Sequence, residues 1–231
     1  MFKRIIAEHG IPKAYALCGA QEDAGCASAA FATLAKTIVY QQLAPAAADK
    51  IIARTLAAFG VPIGERLTPG HVAVAVFETI LVDGKRKVML NGSPSGLSEA
   101  KARALQSLAE HFGCPNRLGG GLDLRSLPPH ELSARLCAVR GLGPWSVDMF
   151  RLFSLLDSDV MPVGDLGVRR GVLSTYGRER CKCLKDEAAR VGALTTHWAP
   201  YRSVGSVYMW RVLDGTAEQQ RRKKQGSIGE Q

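Results

Sequence analysis

The sequence predicts an all-α fold of eight or more short helices with short connections. Three observations carry this. Apolar residues recur at helical spacing through most of the chain, strand signals are few, and Pro and Gly fall where helices would begin and end. The 231 residues suffice for a substantial core. With 46% apolar and 22% charged residues the balance is globular, which excludes a collagen, a wholly disordered chain and a disulfide miniprotein.

Taken in order, Ser28–Tyr40 places Phe31, Leu34, Ala35, Ile38 and Val39 on one face. Pro45 suits a first helical position, and Ala46–Phe59 follows with Ile51, Ile52, Leu56 and Phe59 before Gly60. Val72–Val76 followed by Thr79–Val82 fits a strand pair or a helix. Val82–Gly96 reads as a loop with a basic knot at Lys85-Arg86-Lys87. Ser98 is placed to cap a helix through Phe112 that Gly113 ends, and Gly119-Gly120-Gly121 is a plain loop. Glu131–Val139, Pro144–Leu156, Leu166–Tyr176, Asp186–Leu194 and Tyr201–Leu213 complete the helices. Gly205 inside the last of these costs about 1 kcal/mol against Ala.

Thirty Lys+Arg against 21 Asp+Glu give a net charge of +9. Little of it comes from the tail, residues 215–231, which has four basic and two acidic residues and reads as disordered. A body this basic favours a polyanionic partner, nucleic acid first and an acidic membrane surface second. Met1–Gly10 carries Lys3, Arg4 and Glu8 and no apolar run, so no export signal is expected, and no run reaches the length of a membrane span. The six cysteines then read as reduced intracellular thiols, and the Cys181/Cys183 pair has no partners for a zinc site. An intracellular protein is expected, nuclear if eukaryotic and cytoplasmic if bacterial. The Arg221–Lys224 cluster is a short candidate import signal.

The most informative segment is the hairpin at 131–156, where Val139-Arg140-Gly141-Leu142-Gly143-Pro144-Trp145-Ser146 joins two helices. Gly141 and Gly143 permit a sharp turn and close approach of a partner. The N–H groups at the start of the second helix offer an anion site that can hold a DNA phosphate without reading sequence. Leu142 would pack the turn against its own helices. A tight helix–helix turn in a bundle is the alternative.

About 20 residues on lies Val160-Met161-Pro162-Val163-Gly164-Asp165-Leu166-Gly167, an Asp opening a new helix. This arrangement resembles the helix-hairpin-helix DNA glycosylase superfamily. Further segments resemble its DNA-3-methyladenine glycosylase II branch. These are Ile38-Val39-Tyr40-Gln41-Gln42-Leu43, Gly96-Leu97-Ser98-Glu99-Ala100-Lys101-Ala102, Trp198-Ala199-Pro200-Tyr201-Arg202-Ser203 and Tyr208-Met209-Trp210-Arg211. They keep the family's order over roughly residues 27–213. The resemblance implies two helical lobes with the active-site cleft between them. It divides the chain into an N-terminal segment 1–26, a glycosylase domain 27–214 and the tail.

The resemblance assigns the catalytic carboxylate to Asp165, a position that also suits a helix N-cap. An ionised carboxylate there would steady oxocarbenium character at C1′ of the sugar as the base departs, and could orient the attacking water. One carboxylate suffices for a cationic alkylated purine, which is already a good leaving group. Trp145, Trp210 and more weakly Tyr208 match positions of the base pocket, where aromatic faces attract a cation. Core packing is the alternative for all three. At Met149 and Leu166 some family members carry further aromatics. Leu43, after Gln42, matches the wedge that fills the stack when a base is flipped out. DNA contacts are expected at Gln42, Leu43, Gly141, Leu142, Gly143 and Ser146. In relatives the main-chain carbonyls matching Cys137, Val139 and Leu142 hold a monovalent cation, with no side-chain metal ligand. Superfamily lyases carry a Schiff-base Lys where this chain has Trp145. No cofactor and no iron–sulfur cluster is expected, since Cys181 and Cys183 supply only two thiolates.

The expectation is therefore a monofunctional glycosylase, acting as a monomer on double-stranded DNA with alkylated bases and needing no membrane. A glycosylase for another lesion and a non-catalytic DNA-binding module are the alternatives. Residues 77–96 depart from the family and read as an inserted loop, either solvated or touching DNA. Cys181–Thr196 matches poorly.

Overall fold

The computed structural model describes residues 25–177 and 186–213. Residues 1–24, the tail beyond 213, the Cys181/Cys183 pair and the Arg221–Lys224 cluster lie outside the described residues. The chain divides into two compact units, one from Gln21 to Phe150 and one whose described residues begin at Arg151.

In the first unit α1 (Ala27–Tyr40) and α2 (Pro45–Ala58) follow the apolar spacing of the sequence, with Pro45 opening α2. α3 (Pro69–Ala73) is one turn, capped by Thr68, whose hydroxyl accepts from the His71 N–H. α4 (Glu99–Gly113) starts at Ser98, whose hydroxyl accepts from the Lys101 N–H. α5 (Pro129–Cys137) and α6 (Pro144–Phe153) form the predicted hairpin, the end of α6 from Arg151 belonging to the second unit. Phe31, Leu34 and Ile38 of α1 are fully buried, as are Leu105 and Leu108 of α4, and Phe31 meets Phe112 edge to face at 5.5 Å. Leu136, Val139 and Leu142 bring the hairpin into the buried set.

The fold is mostly helical, as expected, but Val82–Gly96 is not a loop. β1 (Phe77–Val82), β2 (Lys85–Leu90) and β3 (Ser93–Pro94) form an antiparallel sheet in that order, with Val82 opposite Lys85 and Phe77 opposite Leu90. The turns are Asp83-Gly84 and Asn91-Gly92, all four residues at positive φ between 48° and 76°. Two-residue turns of this kind match the twist of paired strands, and Asp-Gly and Asn-Gly are their preferred sequences.

In the second unit α7 (Leu166–Tyr176), α8 (Glu187–Thr195) and a helix over 202–213, α9, enclose Val168, Val172, Val191, Trp198, Tyr208 and Met209. Gly205 has a packing reason: a Cβ there would run into the Trp198 ring. Asp157 and Asp159, near the hairpin in sequence, are held in ion pairs. Asp157 pairs with Arg151 at 2.6 Å, and Asp159 binds Arg202 through both oxygens at 2.6 and 2.7 Å. The Arg202 guanidinium holds the Asp159 carboxyl below its ordinary value of 3.8.

Candidate active site

The hairpin is seated on α4. Gly141 has φ +87°, and an added Cβ would lie 2.7 Å from the Cβ of Ala104, so both conformation and space require glycine. The Arg140 N–H donates to the Ser107 hydroxyl at 3.1 Å. The Leu142 N–H donates to the Val139 carbonyl at 3.1 Å, and its side chain is buried. Gly143 is exposed, and a Cβ there would meet nothing within 4 Å. Open backbone thus lies at the N-terminus of α6, where N–H groups lack helical partners.

The segment after α1 is fastened to this hairpin. Gln41 donates from Nε2 to the Gly141 carbonyl at 2.9 Å and to the Ser146 hydroxyl at 3.4 Å. Lys101 donates from Nζ to the carbonyls of Val39 and Gln41 at 2.7 and 2.9 Å. These carbonyls lie at the end of α1, where a cation is favoured. Burial pushes the Lys101 ammonium below its usual value. Beyond these anchors Gln42 is exposed at φ +58° and Leu43 is half-buried. Neither Gln41 nor Lys101 was singled out from sequence. Both stand in segments that were, but their partners are remote in the chain.

Trp145 is 46% exposed, so it is not a core residue. It lines a cavity of about 660 Å³ with Thr33, Lys36, Tyr40, Gln41, Gln42 and Ser146, all in the same unit. The Lys36 Nζ stands 5.2 Å from the centre of the Tyr40 ring, and the Tyr40 hydroxyl bonds to Asp49, which raises the phenol above its usual value.

In the other unit Asp165 caps α7. Its Oδ1 accepts the Val168 N–H at 2.8 Å and the Trp210 Nε1–H at 2.8 Å. Trp210 is half-buried and stacks on Phe153 at 5.7 Å with 21° between the rings. A Cβ at Gly167 would fall 2.6 Å from the indole, so glycine there makes room for Trp210 beside Asp165. The resemblance implies a base-pocket role for Trp210; here its indole N–H donates to the Asp165 carboxylate. Tyr208, the weaker pocket candidate, is 3% exposed and packs in the core of this unit. Leu166, next to Asp165, is 50% exposed, and Met149 is half-buried.

No cluster of three or more His, Cys, Asp or Glu suited to a metal ion occurs among the described residues. The carbonyls of Cys137, Val139 and Leu142 are a neutral donor set at a helix end, of a kind that suits a monovalent rather than a divalent cation. Within it the Val139 carbonyl also closes the turn to Leu142.

Helical architecture, a Gly-Leu-Gly hairpin and an aspartate capping a following helix define the class, the helix-hairpin-helix DNA glycosylase fold. Within it the chain is similar to DNA-3-methyladenine glycosylases. A DNA-3-methyladenine glycosidase structure from Bacillus halodurans matches with TM-score 0.64 and 28% identity, over 81% of this chain and 77% of that one. The Schizosaccharomyces pombe 3-methyladenine DNA glycosylase Mag1, solved in complex with abasic DNA, matches with TM-score 0.57 and 26% identity, over 78% and 79%. The DNA-3-methyladenine glycosylase of Saccharomyces cerevisiae is 27% identical over 209 residues, 79% of this chain and 66% of that protein. The chain spans about a third to a half of the length of the first curated relatives it matches, at 33%, 53% and 34%. No family model matches the chain.

Proposed function

We propose that this protein is a monofunctional DNA N-glycosylase that hydrolytically releases alkylated purines, of the 3-methyladenine and 7-methylguanine type, from double-stranded DNA in base excision repair. The observation that carries the reading is Asp165, fixed at the N-terminus of α7 by two N–H donors on one oxygen.

In this reading the bond between C1′ and the purine nitrogen breaks, and its electron pair leaves with the base. The base is cationic before cleavage, so it departs neutral. Asp165 faces the positive charge that grows at C1′ and lowers the barrier electrostatically. The oxygen of water then bonds to C1′, and its proton passes to the carboxylate or to solvent. The product is an abasic site and a free purine. The residue after Pro144 is an indole, not an amine, so no Schiff base forms there and the strand stays intact.

The other residues have roles in the same reading. The open backbone at Gly141 and Gly143, with Leu142 holding the turn in shape and Ser146 beside it, meets a phosphate at the start of α6. Gln42 and Leu43, on a segment tied down by Gln41 and Lys101, fill the space of the flipped nucleotide. The exposed face of Trp145 stacks on a base. Trp210 acts through Asp165 as a positioning residue. We assign this activity to a glycosylase domain over 27–214, working as a monomer inside the cell.

A second reading within the superfamily, a different lesion, is favoured by Leu166 and Met149, where some relatives have aromatic residues. Duplexes carrying 3-methyladenine, 7-methylguanine, uracil or oxidised purine separate the two by which free base appears. Release of methylated purines with no adduct trapped by borohydride supports the proposal. A covalent adduct, or release confined to another base, contradicts it.

A further inference from the structure

We propose that the β1–β2 hairpin is an accessory DNA-backbone clamp, with Lys85 and Lys87 as its phosphate-binding residues; this rests on the DNA-directed reading above. Alternation along β2 puts Lys85 and Lys87 on one face of the sheet and Arg86 on the other. Both lysines are exposed. Two residues apart on a strand, they stand about 7 Å from each other. That is on the order of the step between neighbouring phosphates of one strand. Opposite them, Val82 and Ile80 pair with Lys85 and Lys87 and add no negative charge. The acidic residue of β1, Glu78, is opposite Met89, one step further on that face.

The hairpin is held on its base at three points. The Asn91 side chain accepts the Val76 N–H at 2.8 Å and donates to the Ala58 carbonyl at 2.9 Å. Phe77 packs edge to face on Phe59 at 5.9 Å. Arg86 pairs with Glu99 in the first turn of α4 at 3.2 Å.

α4 is also the mount of the other proposed DNA contacts. Lys101 holds the segment carrying Gln42 and Leu43, Ala104 lies under Gly141, and Ser107 binds the Arg140 N–H. From Glu99 to Ser107 is about 12 Å of helix. α4 therefore anchors the basic strand through Arg86, holds the flipping segment through Lys101 and seats the phosphate-binding hairpin at Ala104 and Ser107. Arg103, exposed and one turn after Glu99, shares that carboxylate with Arg86.

The test is equilibrium binding of the full chain to an undamaged duplex across a salt series, for wild type, for Lys85→Ala with Lys87→Ala, and for Lys85→Arg with Lys87→Arg. Loss of two phosphate contacts lowers the slope of log affinity against log salt by about 2. The arginine pair restores the wild-type slope. Melting temperatures, little changed for exposed lysines, show that the variants fold. Base release at saturating enzyme stays at the wild-type rate in both variants. An alanine pair with the wild-type slope and affinity overturns the clamp, as does a wild type that binds no duplex. Binding by wild type without base release from any lesion instead contradicts the glycosylase reading, while the slopes still report on the hairpin.

Discussion

Trp210→Phe removes one N–H while leaving a ring to stack on Phe153. A hydrogen bond to a charged acceptor contributes about 1.5–3 kcal/mol. If Trp210 only positions Asp165, single-turnover base release falls by about tenfold or more while the DNA dissociation constant holds. A rate equal to wild type would show that the link at 2.8 Å does nothing for the carboxylate. Asp165 itself was legible in the sequence, because an Asp before a helical run is a cap signal and its position matched a family motif. Its link to Trp210 was not, since 45 residues separate them and a tryptophan carries no mark of where its N–H will point. Lys101 shows the same limit, with carbonyl partners 62 and 60 residues away.

Individual elements carry their own tests. Gly141→Ala meets both an unfavourable φ and the Ala104 Cβ at 2.7 Å. A cost of about 1–3 kcal/mol is expected, read as a lowered urea midpoint with unchanged slope. No shift would mean that the hairpin does not ride on α4 as described. The Asp159–Arg202 pair ties the start of α9 to the turn that precedes α7. Ionised Asp159 stabilises the fold above its ordinary carboxyl value of 3.8, and that contribution fades as pH falls from there through its depressed native value. The melting temperature of Asp159→Asn should therefore trail wild type steadily from pH 5 to 8 and converge on it below about pH 4. A gap that stays constant into strong acid would show that the pair contributes no ionic stabilisation. Most of the helices were readable because they present an apolar stripe at helical spacing, commonly with Pro, Ser, Asp or Gly at an end. The sheet was not, because Lys85-Arg86-Lys87 masked the alternation of β2. The signals that mattered were the Asp-Gly and Asn-Gly pairs.

For the whole molecule, a net charge of +9 sets the scale of DNA affinity without setting its specificity. Binding to undamaged duplex should weaken by about a thousandfold between 50 and 200 mM salt if six or so phosphates are engaged. A flat salt profile would remove nucleic acid as the partner. Charge and periodicity alone reach a basic helical protein. The motif order adds a resemblance to a family, and the arrangement around Asp165 supplies a chemical reason for the proposed activity. The measurement that bears most directly on that reason compares wild type with Asp165→Asn on methylated duplex under single turnover, with DNA affinity measured in parallel. Base release from Asp165→Asn is expected to fall by at least about a hundredfold with affinity retained. Release at the wild-type rate from the amide variant would contradict that reason.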